Sequence, residues 1–326
     1  MIKLMKFYLQ VMISVLCVFT INSCAPKHPD PPITVAANLW PGYDTFFMAE
    51  TLNMYPENSV HMVETPRSLA LAQAIRGASI DAAAMSLSRA IEISEKEVDV
   101  SIVLVLDSSE GADAILAKPE YKSIKDLKGK RVAAEMDSIT GYMFLRALEI
   151  NGMSLDDVIM NSIDNRIMAE LYEAEELDAV GIYGYDRAKV AELGAVKLFD
   201  SSEISGEIID VLVVRNKYIE QYPNRVVDLI VGWIKTLNYI NSLKSSDDLP
   251  IGAMNREDYV AAKNGVKIWS PTDNINAFEN NHSSIQSIID INIQHGIDLG
   301  FVREGVKPPS IRGDFLTTAL KRLGSD

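Results

Sequence analysis

Short apolar runs and amphipathic stretches alternate along the chain from residue 33 onward. Ile33 to Ala37 (ITVAA) is an apolar run that ends at Asn38. It gives way to Trp40-Pro41-Gly42-Tyr43-Asp44, and a helical pattern then covers Thr45 to Met54. Apolar strand, glycine-containing turn and helix in that order open an α/β unit. The same order returns further on. Val35-Ala36-Ala37 recurs as Val132-Ala133-Ala134, an offset of 97, and Gly42-Tyr43 recurs as Gly141-Tyr142, an offset of 99, before a helical run from Met143 to Asn151. Ile80-Asp81-Ala82 recurs as Leu177-Asp178-Ala179, again offset by 97. An amphipathic stretch precedes each (Pro66 to Arg76, Arg166 to Glu175), and a short apolar run follows (Ala83 to Met85, Val180 to Ile182). Taken as a repeat, the series describes two lobes of like build; the competing explanation is chance similarity between βαβ segments.

This alternation predicts an α/β fold of two lobes, each a mostly parallel sheet flanked by helices. In such sheets ligands bind beyond the carboxyl ends of the strands. Two apolar segments interrupt the order, Ala112 to Ala117 and Ile209 to Val214, and read as strands passing between lobes. Residues 33–112 and 212–326 then form lobe 1, with 113–211 inserted as lobe 2. Pro223 to Leu243 carries Val226, Val227, Ile230, Val231, Ile234 and Leu237 at helical spacing, so the C-terminal third reads as helices supporting lobe 1.

The first 24 residues have a different pattern. Lys3 and Lys6 precede an apolar run from Phe7 to Ile21, 15 residues long. A bilayer span needs about 20 residues, whereas a secretory signal fits this length. Ile21-Asn22-Ser23-Cys24 resembles a bacterial lipobox, with Asn22 in place of the usual small residue; Cys24 would carry the lipid. The alternatives are an uncleaved signal anchor and ordinary signal-peptide cleavage. Residues 25–32 (APKHPDPP) then form a stiff Pro-rich tether. The two cysteines are Cys17 and Cys24, so beyond the lipobox no disulfide framework or thiolate metal site is available.

Charge and motifs narrow the function classes. Net charge is −14, and removal of residues 1–23 with Lys3 and Lys6 takes it to −16. An acidic body repels nucleic acid and anionic lipid, so neither is expected as a partner. The four histidines (His28, His61, His282, His295) show no HExxH spacing. There is no GxSxG elbow, GxGxxG fingerprint or Walker pattern. No metal, no cofactor and no catalytic residue is expected, and the chain reads as a non-enzyme.

Four stretches carry a resemblance: ITVAANLWPGYDTFFMAETLNMY, LALAQAIRGASIDAAAMSL, VLVLDSSEGADAILAKPEYKSIKDLKGKRVAAEMDSITGYMFLRALE and LFDSSEISGEIIDVLVVRNKYI. Together they cover most of residues 33–240. The chain resembles substrate-binding proteins of the nitrate/sulfonate/taurine type of ABC importer, a family that also includes carriers of thiamine-precursor pyrimidines. The resemblance implies a type 2 periplasmic-binding-protein fold, with two lobes joined by a two-strand hinge. It implies a monomeric, exported, lipid-anchored clamp that closes on a small solute and hands it to a membrane permease, facing the periplasm or the cell exterior. Two alternatives stay open: a sensor subunit docking on a membrane receptor kinase, and an enzyme of the thiamine or menaquinone type on the same fold. Export speaks against the enzyme.

Candidate ligand-binding residues follow from the strand ends. Asn38, Trp40, Tyr43 and Asp44 sit where a strand leads into a helix, so free amides and the positive end of the helix dipole face a cleft. Trp40 offers an apolar wall with one donor and Tyr43 a phenol; alternatively Trp40 fills a core gap and Pro41-Gly42 is a simple turn. Ser138, Thr140, Gly141 and Tyr142 are the second lobe's counterpart, suited to an anionic oxygen or serving only as a helix cap. Ser86 and Ser88 follow one repeated strand, Tyr183 and Tyr185 the other; Tyr183 would contact the solute or pack between lobes. Asp107, Asp113 and Asp210 lie near the crossovers, holding hinge amides or meeting an amine. Glu135 and Asp137 place negative charge beside the supposed anion cradle, and Lys and Arg are scarce there. An amine-bearing sulfonate-like or pyrimidine-like solute therefore fits better than bare nitrate. Asp81, at the start of a repeated strand, is expected to be structural.

Overall fold

The computed structural model describes residues 30–136, 138–279, 285–298, 300 and 302–324, with the side chain of Tyr185 left out. The signal segment, Cys24, most of the tether and Asp137 lie outside the described residues. The apolar runs form strands: β1 (Ile33–Ala37), β2 (Val60–Glu64), β3 (Ala82–Ser86), β4 (Val100–Ser109), β5 (Ala114–Ala117), β6 (Arg131–Ala134), β7 (Ile159–Ser162), β8 (Ala179–Ile182), β9 (Val196–Asp200), β10 (Ile209–Arg215), β11 (Val266–Ile268) and β12 (Ser310–Ile311). Between them run α1 (Pro41–Thr51), α2 (Ser68–Arg76), α3 (Leu87–Glu95), α4 (Ile139–Ile150), α5 (Asn165–Glu173), α6 (Gly184–Glu192), α7 (Asn216–Gln221), α8 (Pro223–Ser242), α9 (Arg256–Ala262), α10 (Pro271–Glu279), α11 (Ile285–Asp298) and α12 (Asp314–Leu323).

Two sheets result. The first has the order β11-β4-β10-β3-β1-β2, with β12 beside β4; the second has the order β7-β6-β8-β5-β9. In the first, every strand but β10 and β11 runs one way; in the second, every strand but β5 does. The chain leaves the first sheet after β4, enters the second at β5 and returns at β10. The returning strand belongs to the first sheet from Ile209 onward.

The internal repeat is realised at the level of hydrogen bonds. Val35 and Ala36 pair with Ala82 and Ala83, as Val132 and Ala133 pair with Ala179 and Val180, every residue offset by 97. Asp81 accepts from the Thr34 amide at 3.0 Å, and Asp178 from the Arg131 amide at 2.9 Å. Each carboxylate pins the start of its strand to a neighbour, as expected for Asp81. Asp81→Ala is expected to cost about 1–3 kcal/mol of stability, read by urea denaturation, with solute affinity unchanged. Selective loss of binding at unchanged stability would refute that structural role.

Both faces of the first sheet are covered. Helix α8 lays Val226, Val227, Ile230, Val231, Ile234 and Leu237 against one face, all buried, with Trp233 fully enclosed. Leu71 and Ile75 of α2, Leu87 and Ile91 of α3, and Ile285 and Ile289 of α11 cover the other. The C-terminal third therefore supports the first sheet. Among the described residues no helix is long and apolar enough to cross a membrane.

Two helices start earlier than their periodicity suggests. Helix α1 begins at Pro41 rather than Thr45, and α4 at Ile139 rather than Met143. Proline suits the first helical position because its missing N–H would be unpaired there. The supposed turn around Gly42 is thus the first turn of a helix. Gly42 is glycine for contact, not turning: a Cβ there would lie 1.7 Å from Asp107 Oδ2. At Gly141 a Cβ would lie 2.6 Å from the Met136 backbone.

Candidate functional site

Four parallel strands end on one side of the sheets and run directly into helices. β1 leads through Asn38 and Trp40 into α1, and β3 ends at Ser86, the cap of α3. β6 leads through Glu135 and Ser138 into α4, and β8 through Tyr183 into α6. Their loops enclose a cavity of ≈ 50 Å³ between the sheets. Asn38, Trp40, Tyr43 and Ser86 line it from the first sheet, Ser138 and Tyr183 from the second, and Asp113 and Asp210 from the crossovers. The Trp40 and Tyr183 rings meet edge to face, with centroids 6.0 Å apart. Beyond them lies a vestibule of ≈ 340 Å³, which shares Asn38, Trp40 and Tyr183 with the inner cavity.

Asp113 and Asp210 belong to a cluster of buried carboxyl groups that Asp107 completes from behind the cavity lining. Asp107 on β4 and Asp210 on β10 are directly paired across the strands, 0% and 7% exposed. Trp40 Nε1 donates to Asp107 Oδ1 at 3.0 Å, while Asp107 Oδ2 has no donor among the described residues other than a proton shared with Asp210. Burial raises both carboxyl groups well above the usual range, and the charge of Asp107 pushes Asp210 further. Burial, followed by the charge of Asp210, raises the Tyr43 phenol; that phenol also hydrogen-bonds Asp210. Each carboxyl therefore favours the protonated form of the other, because two adjacent carboxylates without a counter-cation repel each other.

Asp113 serves hinge and cavity at once. Its Oδ2 accepts from Ser109 Oγ at 2.5 Å, and Ser109 Oγ lies 2.7 Å from Ser201 Oγ, lacing the two crossovers together. Its Oδ1 accepts no hydrogen bond among the described residues, and burial pushes the carboxyl up to about 6.

Other candidates are placed elsewhere. Asp44 points away from the cavity and accepts from the amides of Ala253 (2.6 Å) and Met254 (3.1 Å), fixing the loop before α9; burial raises it to about 6. Thr140 is fully buried, and its Oγ1 accepts from the Glu135 amide at 3.3 Å. Ser138 caps α4, accepting from the Thr140 amide at 3.4 Å, so its cap and cavity roles coincide. Gly141 packs on Met136, and Glu135 is half-buried in the loop after β6 without lining the inner cavity. The Tyr142 hydroxyl donates to Glu207 Oε2 at 2.7 Å and lies 3.0 Å from His295 Nδ1, tying α4 to α11. Ser88 stands one step outside, its Oγ 3.1 Å from Ser86 Oγ.

Ser68, Met85, Ile139 and Ile208 also line the cavity. Ser68 opens a third helix that follows a strand of the first sheet, a signal present in the sequence; Met85 and Ile208 read only as core. Arg187 of α6 was also missed: it donates to the carbonyls of Gly111 and Ala112, holding the first crossover from the second lobe.

Two sheets with helices on both faces, crossover strands between them and a cleft at the strand ends define the periplasmic-binding-protein fold. A family model described as NMT1/THI5 like matches residues 56–241, and the chain belongs to that family. A Brucella abortus (strain 2308) protein named as a binding protein is 28% identical over 133 residues, which is 39% of this chain and 41% of that relative. Among solved structures, a periplasmic sulfonate-binding protein SsuA from Methylobacillus flagellatus KT aligns with TM-score 0.69 at 14% identity, covering 90% of this chain and 94% of its own. The periplasmic nitrate-binding protein NrtA from Synechocystis PCC 6803 aligns with TM-score 0.66 at 11% identity, covering 92% and 91%.

Proposed function

We propose that the chain is the solute-binding component of an ABC importer, tethered through lipidated Cys24 and acting as a monomer. It closes its two lobes on a small solute bearing hydrogen-bond donors or positive charge, and delivers it to a membrane permease. The observation that carries the solute class is the pair of buried aspartates that line the cavity, Asp113 and Asp210, with Asp107 buried beside Asp210 and no lysine or arginine among the described lining residues. An ammonium or amino group can take the open oxygen of Asp113 and the proton-sharing pair, whereas a bare anion would meet like charge. The similar proteins named for sulfonate and nitrate support a carrier rather than an enzyme. Within that range an amine-bearing sulfonate or an amino-pyrimidine suits this cavity, with the Ser86 hydroxyl placed to meet its acceptors.

A thermal-shift screen of the full-length chain tests this against taurine, simple alkanesulfonates, nitrate and amino-pyrimidines. Amine-bearing members are expected to stabilise it, by about 2.7 kcal/mol at a hundred times Kd. Stabilisation by nitrate and amine-free sulfonates alone would overturn the proposal.

A further inference from the structure

The ≈ 50 Å³ cavity is small beside the 300–1,000 Å³ typical of small-molecule sites. A second chamber of ≈ 330 Å³ adjoins it, and Ser138 lines both. Ser86 of the inner cavity and Ser88 of the chamber are joined Oγ to Oγ at 3.1 Å, so Ser86, Ser88 and Ser138 link the linings of the two spaces. The chamber lies between α3, the loop after β6 and α11. Ile91, Met136, the Tyr142 ring and Val302 give it an apolar wall.

Its charged groups are already engaged with one another. Arg89 pairs with Glu92 and donates to Ser68 Oγ at 3.1 Å, Lys96 pairs with Glu92, and Glu95 pairs with Arg303 at 2.9 Å. One polar atom differs. Asn292 is 4% exposed and lines the chamber; its amide nitrogen donates to the carbonyls of Glu207 (3.1 Å) and Ile288 (3.0 Å). Its Oδ1 accepts nothing among the described residues. That oxygen is itself shut off from solvent, and a buried acceptor without a donor is costly, so a donor that reached it from the chamber would be favoured.

We infer that the cleft is two-chambered and that its solute is an amphiphile. A donor-bearing head sits against Asp113 and Asp210. An apolar portion passes between Ser86, Ser88 and Ser138 into the chamber, and a donor near its far end meets Asn292 Oδ1. The inference rests on the amine reading of the inner cavity and adds the second half of the solute.

The test is calorimetric titration of the full-length chain with straight-chain primary amines from ethylamine to octylamine. Affinity is expected to rise about fourfold per methylene while the chamber fills. In Val302→Trp, at a half-buried chamber position, that rise should flatten while ethylamine binding is unchanged. Ser88→Phe, narrowing the passage, should flatten it too and serves if Val302→Trp does not fold. A rise that survives in the folded variants places the tail elsewhere and overturns the two-chamber inference alone. Failure of every amine to bind the unmodified chain overturns it together with the amine reading.

Discussion

Replacing Trp40 with alanine is expected to abolish solute-induced stabilisation and, in the same variant, to lower the stability of the unliganded protein by about 3–5 kcal/mol. From the sequence alone Trp40 stood as either a cleft wall or a core filler. In the structure Trp40 is packed in the core and also lines the inner cavity. Its ring is 7% exposed and packs within the core that α1 and α8 share, its edge meets Tyr183 from the other lobe, and its indole N–H is the donor to Asp107 Oδ1. Truncation leaves a cavity and also strips a buried carboxyl of its donor, and the two costs fall on one site. Trp40→Phe separates them, since it keeps most of the wall and removes only the donor. Chemical denaturation of both variants, with and without a stabilising solute, is the measurement. An alanine variant as stable as the unmodified protein would show that Trp40 is not part of the core. Unchanged solute binding would show that it is not a wall of the site.

What was readable in the sequence, and what was not, divides along local and non-local lines. The repeat was readable because its strand starts carry the same short pattern, and Asp81 and Asp178 make the same bond in both halves. The core face of α8 was readable because helical spacing alone selects it. The start of α1 was not, because Pro41-Gly42 signals a turn locally. The reason for glycine there is Asp107, 65 residues away in sequence, pressed against the helix. Tyr142 and Asp44 lay at the right chain positions but turned to Glu207 and His295 and to the 253–254 amides, partners far off in sequence. The proton-sharing pair depends on the β4–β10 register, which no single segment encodes. Asp107 and Asp210 could be placed near the crossovers, but their mutual contact could not.

That pair makes the pH response of the unliganded and liganded protein run in opposite directions. Asp44 and Asp113 are raised to about 6, and Asp107 and Asp210 are raised also, all by burial first. Between pH 5 and 7 these four groups therefore bind more protons in the folded chain than in the unfolded one, so their contribution to stability falls as pH rises. The contribution of these groups is complete below the ordinary aspartate range near 4 and is lost as pH climbs through their folded values. From pH 5 to pH 8, Asp44 and Asp113 each give up about 1.4 kcal/mol, the worth of one pKa unit. Carboxylates whose pKa is lowered work in another window: at Asp178, burial is outweighed by Arg131, and at Glu207 by Arg146, so both lose their contribution only in acid. The melting temperature of the unliganded protein is thus expected to drop between pH 5 and 8. A cationic head replaces the trapped protons, so its binding strengthens over the same interval and the solute-induced shift grows as the baseline falls. Asp113→Asn should remove that residue's share of both slopes. A solute-induced shift that shrinks with rising pH would mean that the site prefers its aspartates neutral, as an anion would require, and the amine reading would fail.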